Sequence, residues 1–317
     1  MGMGRSLLGR TRDAFAVRAS IQLCTYNRAR LLERVLEGCF EQTAPADAYE
    51  VVLVNDGSTD DTVAVIEAAR ARATCAFEVV HQANAGLARG RNAGIARARG
   101  ERIIFIDDDV LPTPAFVAEH LRSHDRSPRA IVRGAVVNTQ SFERLPPPIW
   151  TPANYSGNFF WTSNVSLPRA TLERAGNFTE AFREYGWEDI ELGMRLRAAG
   201  VKAVFNRFAL AFHYKPRPRA KNVAGMVSQA RAQARTAVQL RAMHPHWRVV
   251  LATGDDPLQR TLHRAVRRLG VARGLERRIG SAGGERDLSA PQLWAARALA
   301  REAYYEELDR ARASGTR

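Results

Sequence analysis

The sequence has no uninterrupted apolar run of the roughly 18 to 20 residues that a membrane-spanning helix requires. Its first 18 residues also lack the apolar core of a signal peptide, so neither a membrane-spanning nor a secreted protein is predicted. Cysteine is scarce as well: Cys24, Cys39 and Cys75 are scattered without the spacing of a zinc site or a disulfide framework. These shortages predict a globular protein of a reducing cytoplasm.

Lysine is nearly missing too, since only Lys202, Lys215 and Lys221 occur, and the net charge of +14 is therefore almost wholly due to arginine. Residues 215–317 contain 21 basic and 9 acidic residues, which leaves the first two thirds of the chain nearly neutral. Solvated helical faces explain such a region most simply. Attraction to anionic lipid head groups or to an anionic acceptor is the alternative, and binding to nucleic acid is the least favoured.

Short apolar runs alternate with helical periodicity over the first part of the chain. The predicted strands are 19–25, 51–54, 77–81 and 102–106, and the predicted helices are 31–42, about 60–72 and 87–98. Strict alternation of strand and helix predicts a mostly parallel sheet flanked by helices, which is an α/β fold. Ligands of such sheets bind at the carboxyl ends of the strands.

The pattern loosens after Pro112 and becomes helical and arginine-rich after Pro216 and Pro218. We therefore predict an N-terminal extension at 1–18, an α/β domain at 19–215 that divides into halves at 19–112 and 113–215, and a basic helical region at 216–317.

Polar side chains follow the predicted strands at the edge where ligands bind. The most concentrated group is the carboxylate triplet Asp107, Asp108 and Asp109, directly after the apolar run 103–106. Three adjacent carboxylates repel one another unless a cation or water screens them, which indicates a Mg²⁺ or Mn²⁺ site completed by phosphate oxygens. A solvated acidic loop is an equally good reading of this triplet taken alone.

Four segments occur in order: TYNR from Thr25, VNDGSTDDT from Val54, NAGLARGRNAGI from Asn84 and FIDDDV from Phe105. Together they resemble the family-two glycosyltransferases of the GT-A fold, and the resemblance covers roughly residues 20–214. Each motif is weak alone, whereas the ordered set is specific. This family often has Asp where the chain has Asn55, which makes the identity of the nucleotide base less secure.

The resemblance implies a nucleotide-binding site at the strand ends, with Asp56 accepting a hydrogen bond from a ring N–H of the base. The implied nucleotide-binding residues are Thr25, Tyr26, Asn27, Arg28, Asp56, Arg91, Asp107 and Asp108. Asp109 is the foremost implied metal ligand, with Asp107 and His213 beside it. The implied cofactor is Mn²⁺ or Mg²⁺. The resemblance also implies that the domain at 19–215 is catalytic, with a nucleotide-binding half at 19–112 and an acceptor-binding half at 113–215.

A second pair of carboxylates, Glu188 and Asp189, lies in the first turn of a predicted helix, where the helix dipole favours anions. An ordinary acidic helix start explains the pair without any function. The resemblance implies instead that Asp189 is the catalytic base and that Glu188 positions the acceptor. Trp150, Tyr155 and Trp187 are the candidates for acceptor contact, because aromatic rings stack against sugar rings.

The resulting hypothesis is an inverting, metal-dependent glycosyltransferase that uses a nucleotide diphosphate sugar, with UDP preferred by resemblance. A carbohydrate or lipid-linked acceptor is expected, in a pathway such as cell-envelope polysaccharide synthesis. The protein is expected in the cytoplasm, with peripheral membrane contact through its basic C-terminal region. A nucleotidyltransferase of similar fold and a membrane- or nucleic-acid-binding module are the alternatives.

Overall fold

The computed structural model describes residues 17–154, 156–280 and 286–315. The predicted N-terminal extension therefore falls almost entirely outside the described residues. The strands are β1 Ala19–Thr25, β2 Tyr49–Asn55, β3 Ala76–His81, β4 Arg102–Phe105, β5 Val110–Pro112, β6 Ile131–Thr139, β7 Val165–Pro168 and β8 Ala203–Tyr214. The helices are α1 Ala29–Phe40, α2 Thr62–Arg70, α3 Leu87–Arg97, α4 Phe116–Arg126, α5 Arg169–Arg174, α6 Glu188–Ala198, α7 Val223–Met243, α8 Trp247–Thr253, α9 Pro257–Arg268, α10 Val271–Gly280 and α11 Ala290–Gly315.

All eight strands form one sheet in the order β3-β2-β1-β4-β7-β6-β8-β5. The four strands from β1 to β4 pair in parallel, as the alternation of strands and helices predicts. Every residue of β2 is buried, which is why this strand is a continuous apolar run rather than an alternating one. The mixed α/β fold with a largely parallel sheet and C-terminal helices is confirmed.

The second half of the sheet is mixed. Strand β7 is antiparallel to both β4 and β6, whereas β6 and β8 are parallel. The short strand β5 was not predicted from the sequence, because three residues are too few to give a periodic signal. The eleven-residue helix α4 was not predicted either. Strand β5 pairs with the end of β8, with Val110 opposite His213, and so brings the acidic triplet beside that histidine.

Two apolar layers sandwich the sheet, because successive strand residues point to opposite faces. Val51 and Leu53 belong to a cluster that also holds Leu32 and Leu36 of α1. Val52 belongs to the other cluster, which includes Ile95 of α3 and Leu192 of α6. Helices α3 and α6 thus share one face of the sheet, and both carry residues of the predicted site.

The C-terminal region is helical, as predicted, and α7 packs along α11. Their contact includes Ala234, Ala237 and Leu308, all of which are buried. None of the helices in the described ranges is both long and apolar enough to cross a membrane.

Candidate active site

The carboxyl ends of β1 and β2 and the turn after β4 meet at one edge of the sheet. Thr25 ends β1, and its carbonyl accepts a hydrogen bond of 3.0 Å from the backbone N–H of Asp56, which follows β2. Its hydroxyl donates to Asp108 Oδ2 at 2.8 Å, in the turn between β4 and β5. One buried threonine therefore links three of the four segments that carry the family resemblance.

Asp56 is 6% exposed, and its carboxylate organises the loop that leads into α3. Oδ1 accepts from Gln82 Nε2 at 2.6 Å and from the backbone N–H of Ala85 at 2.9 Å. Oδ2 accepts from the backbone N–H of Gly86 at 3.0 Å. These contacts fix the carboxylate at the strand end, while its predicted contact with a nucleotide base stays a prediction.

Asn27 connects the first two loops of the predicted nucleotide site. Its φ of 52° is left-handed, a conformation that asparagine tolerates better than most residues. Its Oδ1 accepts from the backbone N–H groups of Thr59 at 2.8 Å and Asp60 at 3.3 Å. The neighbouring Tyr26 is 49% exposed, so its ring is open to a planar ligand at this edge.

Asp108 is held differently from its neighbours in the acidic triplet. Burial raises the pKa of its carboxyl to about 7, although the charge of Arg28 and the hydrogen bond from Thr25 both lower it. Asp107 is held by the protein through both oxygens: Ser163 Oγ donates to Oδ2 at 2.5 Å and Arg91 Nη2 to Oδ1 at 3.3 Å. Ser163 and Arg91 therefore fix the orientation of the Asp107 carboxylate, and its predicted role as a metal ligand stays a prediction.

Asp109 and His213 form the strongest candidate metal pair. His213 Nε2 lies 3.2 Å from Asp109 Oδ1, and the imidazole is only 4% exposed. Burial alone would raise the pKa of Asp109, but the hydrogen bond and charge of His213, with Arg28 and Lys215, outweigh it and hold the pKa below its usual range. The carboxylate is therefore ionised and available to a cation.

The donor set of this pair fits Mn²⁺ or Mg²⁺, because a carboxylate and an imidazole both suit such ions and two protein ligands leave positions for phosphate oxygens and water. Among the described residues no cluster of three or more His, Cys, Asp or Glu side chains is arranged to hold a metal by itself. A site on Asp109 and His213 would therefore depend on the substrate to complete it.

Arg91 of α3 connects the two acidic motifs. Its guanidinium donates to Glu188 Oε1 at 2.6 Å, to Thr162 Oγ1 at 2.8 Å and to Asp107 Oδ1 at 3.3 Å. Its side chain is 6% exposed. Burial opposes the charge, but Glu188 and Asp107 raise the pKa of Arg91, which keeps the guanidinium charged. Arg91 is thus a buried bridge, and its predicted contact with the nucleotide stays a prediction.

The pair Glu188 and Asp189 begins α6, as predicted, but the two carboxylates differ. Glu188 is buried and neutralised by Arg91, whereas Asp189 accepts a hydrogen bond only from the backbone N–H of Ile190, at 2.7 Å, among the described residues. Burial and the negative charge of Glu188 raise the pKa of Asp189 to about 7. A carboxylate with such a pKa can exchange a proton with substrate near neutral pH.

Tyr185 was not singled out by the sequence reasoning. Burial raises the pKa of its hydroxyl, and the charges of Glu188, Asp107, Asp189 and Asp109 raise it further. The geometric link between the two acidic motifs is Arg91, which contacts both Glu188 and Asp107. The only sequence signal was the position of Tyr185 shortly before the acidic pair.

Of the three predicted acceptor residues, the two that the structure describes have different surroundings. Trp150 packs on Phe205 with ring centroids 5.1 Å apart, and Trp187 packs against α7 and α11. Tyr155 lies outside the described residues. A small pocket beside β6 is lined instead by Trp161 and eight further residues, which are Arg133, Gly134, Val136, Asn154, Ser156, Asn158, Asn164 and Phe205. Trp161 is 6.0 Å from the His213 ring, so this pocket adjoins the candidate metal pair.

The profile of glycosyl transferase family 2 matches residues 20–186, which is more than half of the chain and includes the ends of β1, β2 and β4. The chain belongs to glycosyl transferase family 2. This membership favours an enzyme over a purely membrane- or nucleic-acid-binding module, and sugar transfer over nucleotidyl transfer.

Individual proteins that are similar to this family 2 glycosyltransferase are also glycosyltransferases by name. Validoxylamine A glucosyltransferase of Streptomyces hygroscopicus subsp. jinggangensis (strain 5008) is 31% identical over 224 residues, which cover 59% of this chain and 53% of that protein. The chain thus spans about half the length of the validoxylamine A glucosyltransferases that it matches.

Two solved structures share the fold of this glycosyltransferase. The mannosyltransferase PcManGT from Pyrobaculum calidifontis, in complex with GDP-Man and Mn²⁺, has a TM-score of 0.57 and 18% identity and covers 92% of this chain and 87% of its own. Residues 1–349 of S. aureus TarS, in complex with UDP-GlcNAc, have a TM-score of 0.54 and 16% identity and cover 94% of this chain and 92% of their own. At these identities the likeness concerns the fold.

Proposed function

We propose that this glycosyltransferase moves a sugar from a nucleotide diphosphate sugar to an acceptor hydroxyl and inverts the anomeric centre. The preferred donor is proposed to be a UDP-sugar. The observation that carries the proposal is the Arg91 bridge. Its guanidinium contacts Glu188 at 2.6 Å and Asp107 at 3.3 Å, which ties the start of α6 to the acidic turn after β4. A base and a diphosphate site on opposite sides of one cleft are what an in-line displacement requires.

Asp189 is the proposed catalytic base. The carboxylate of Glu188 is engaged in an ion pair with Arg91, whereas Asp189 has no ion pair among the described residues. The raised pKa of Asp189 suits a group that takes the proton from the acceptor hydroxyl as the new glycosidic bond forms. Glu188 then acts through Arg91, by holding the helix start in place.

Asp109 and His213 are the proposed holders of a divalent cation, with Asp108 and Arg28 beside them. When bound, Mn²⁺ or Mg²⁺ would neutralise the charge that grows on the departing diphosphate. The separation of 3.2 Å between Asp109 Oδ1 and His213 Nε2 supports a shared ligand position. Mn²⁺ in the PcManGT complex supports metal use in proteins of this fold.

The nucleotide is proposed to lie over the ends of β1 and β2, with Tyr26 and Asp56 at the base and Arg28 near the phosphates. The two structural neighbours contain GDP-Man and UDP-GlcNAc, so the fold alone accommodates either base. The acceptor is proposed to be a carbohydrate or a lipid-linked sugar that enters from the side of Trp161, whose ring centroid lies 6.0 Å from that of His213.

Thermal unfolding with a panel of donors tests this function. UDP-glucose, UDP-N-acetylglucosamine and GDP-mannose are each added with Mn²⁺, with Mg²⁺ and with chelator. A ligand at about 100 times its Kd stabilises the folded state by about 2.7 kcal/mol, which is readily measured as a higher Tm. We expect a UDP-sugar with Mn²⁺ to give the largest rise. Equal stabilisation in chelator would contradict the metal assignment, and retained anomeric configuration in the product would contradict inversion.

A further inference from the structure

Helix α9 exposes its apolar face to solvent. Leu258, Leu262 and Leu269 are 80%, 59% and 79% exposed. Their spacing of four and seven residues places them on one side of the helix, together with Ala265. Surface helices normally bury such a stripe against the protein core, so α9 has the opposite orientation.

The charged face of α9 is what packs on the protein. Asp309 of α11 accepts ion pairs from Arg260, Arg264 and Arg267 at 3.2, 2.8 and 2.7 Å. Their hydrogen bonds, set against the cost of burial, hold the pKa of Asp309 well below its usual range. A carboxylate that binds three guanidinium groups fixes the rotation of α9 about its axis, and the leucine stripe therefore has to face outward.

A buried contact adds to this anchoring. His263 is 8% exposed and lies 2.5 Å from Glu302 through Nδ1, while its ring stacks on Tyr305 with centroids 3.9 Å apart. His263 lies on the same side of α9 as the three arginines, opposite Leu258 and Leu262. The outward direction of the leucines is thus set by four separate polar contacts.

The preceding helix α8 has a similar arrangement. Trp247 and Leu251, four residues apart, are 62% and 60% exposed, whereas Val249 between them is buried. The Arg248 guanidinium lies 5.4 Å from the centroid of the Trp247 ring. Tryptophan and arginine side by side are typical of side chains at a membrane–water interface.

Charge decides the kind of surface that would cover these apolar side chains. Residues 247–278 contain eight arginines and three acidic residues. Arg268, which is exposed beside the leucine stripe, adds positive charge at its edge. A nucleic acid would match the arginines but not three exposed leucines and a tryptophan, whereas an anionic bilayer matches both.

We propose that α8 and α9 are a membrane-docking surface, which lies on a bilayer containing anionic lipids. Leu258, Leu262 and Leu269 enter the boundary between head groups and acyl chains, and Arg248 and Arg268, which are exposed beside the apolar side chains, contact the head groups. Helix α9, about 18 Å long, lies in the plane of the membrane surface. The contact is peripheral and reversible, and it does not depend on the proposed chemistry of the active site.

Co-sedimentation of the full chain with vesicles tests the proposal. One set of vesicles is phosphatidylcholine alone, and the other contains about one third phosphatidylglycerol. We expect binding to the anionic set, weakened by added salt because part of the attraction is electrostatic. The double variant Leu258→Gln/Leu262→Gln should bind about tenfold less or weaker still, since it removes two apolar side chains and leaves every arginine in place.

The matched control is Val63→Gln/Phe208→Gln, which changes two exposed apolar residues of the catalytic domain and should bind as the unmodified chain does. Circular dichroism checks that both double variants fold. Equal binding by the two variants, or no binding of the unmodified chain to anionic vesicles, would overturn the proposal. A dimer in sedimentation equilibrium that the leucine variant alone dissociates, without vesicle binding, would assign the surface to a second copy instead.

Discussion

At the scale of single residues, neighbours in the sequence have different electrostatic surroundings. Glu188 and Asp189 are both acidic, adjacent and at the start of one helix. Glu188 is paired with Arg91, whereas burial and the charge of Glu188 raise the pKa of Asp189 to about 7, which suits proton transfer near neutral pH. The family resemblance already implied different roles for the two residues, but the electrostatic difference between them depends on Arg91, 97 positions before Glu188.

Replacement of Asp189 by Asn should separate chemistry from binding. Asp189→Asn keeps the volume of the side chain but removes the base, so turnover is expected to fall by about two orders of magnitude or more. Donor affinity, measured by calorimetry with Mn²⁺, should stay within about threefold, because the base lies apart from the proposed nucleotide site. Unchanged turnover would exclude Asp189 as the base.

The raised pKa of Asp189 predicts an acid limb in the rate profile. The carboxyl must be ionised to take a proton, so kcat should fall about tenfold per pH unit below about pH 7. Single-turnover rates between pH 5 and pH 8, at saturating donor, would measure the limb. A flat profile through this range would contradict the assignment.

The pH dependence of stability also tests the raised pKa of Asp189. Stability should decrease as pH rises, whereas kcat should increase. The folded chain retains protons on Asp189 and Asp108 up to about pH 7, whereas the unfolded chain loses them near pH 4. The free energy of unfolding should therefore decrease as pH rises between these values. Asp189→Asn removes one of the two groups, so its Tm should rise relative to the unmodified chain at pH 8 and change little at pH 4.

His213 is the residue that tests the metal pair. His213→Ala removes one of two protein ligands and should lower the apparent affinity for Mn²⁺ by about tenfold or more. The measurement is the rise in Tm that UDP produces with and without Mn²⁺. The rise without metal should be the same in both proteins, which serves as the internal control. An undiminished Mn²⁺ effect in His213→Ala would remove this histidine from the site.

At the scale of elements, the turn before α6 decides where Asp189 lies. Gly186 has φ of 108° and Trp187 has φ of 72°, and the second is a costly conformation for a bulky residue. Trp187 is held there by its own side chain: Nε1 donates to the carbonyl of Gln233 at 2.9 Å, and the ring packs against α7 and α11. The predicted acceptor residue Trp187 thus has a clear structural role at the start of α6.

Trp187→Ala should therefore affect both stability and turnover. Loss of the half-buried ring is expected to lower the free energy of unfolding by about 2 kcal/mol and, by releasing the turn, to lower kcat by about tenfold. Chemical denaturation and steady-state rates measure the two effects. Trp187→Phe, which keeps a ring and loses only the hydrogen bond, is the control and should cost about 1 kcal/mol. A full kcat in Trp187→Ala would show that the turn does not need the ring.

At the scale of the whole molecule, the basic C-terminal helices support the catalytic domain directly. Arg235 of α7 forms ion pairs with Glu184 at 2.5 Å and Glu307 at 2.9 Å, and Thr236 Oγ1 donates to the carbonyl of Tyr185 at 3.1 Å. His244 Nε2 lies 2.9 Å from Glu191 Oε1 of α6. A domain boundary near residue 215 stays a prediction. Helix α7, which follows this boundary, contacts the turn that precedes Asp189.

Deletion of residues 222–317 is therefore expected to lower turnover as well as to abolish membrane binding. It uncovers Phe182, which is 2% exposed and packs on Leu240 and Val249, and it leaves Trp187 without its partners. The truncated chain should melt at a lower temperature and lose turnover by about tenfold or more, including slow hydrolysis of donor. The full chain under the same conditions is the control, and full hydrolysis by the truncated chain would contradict the inference.

The sequence by itself determined the elements whose signal is local. The strands β1 to β4, the helices α1 to α3 and the start of α6 follow from apolar periodicity and turn residues, and the four ordered motifs determined the family. The acidic turn and the pair Glu188 and Asp189 were likewise visible as clusters of charge. All of these are properties of short segments, and residues close together in the sequence determine them.

Only the tertiary structure decided which of these groups act together. The bridge from Arg91 to Glu188 and Asp107 and the contact of Ser163 with Asp107 join residues far apart in the chain. The outward rotation of α9 belongs here too, because a hydrophobic pattern shows that a helix is amphipathic but not which face the protein covers. Burial and ion pairing depend on what the rest of the chain brings alongside, and one segment read alone does not contain that information.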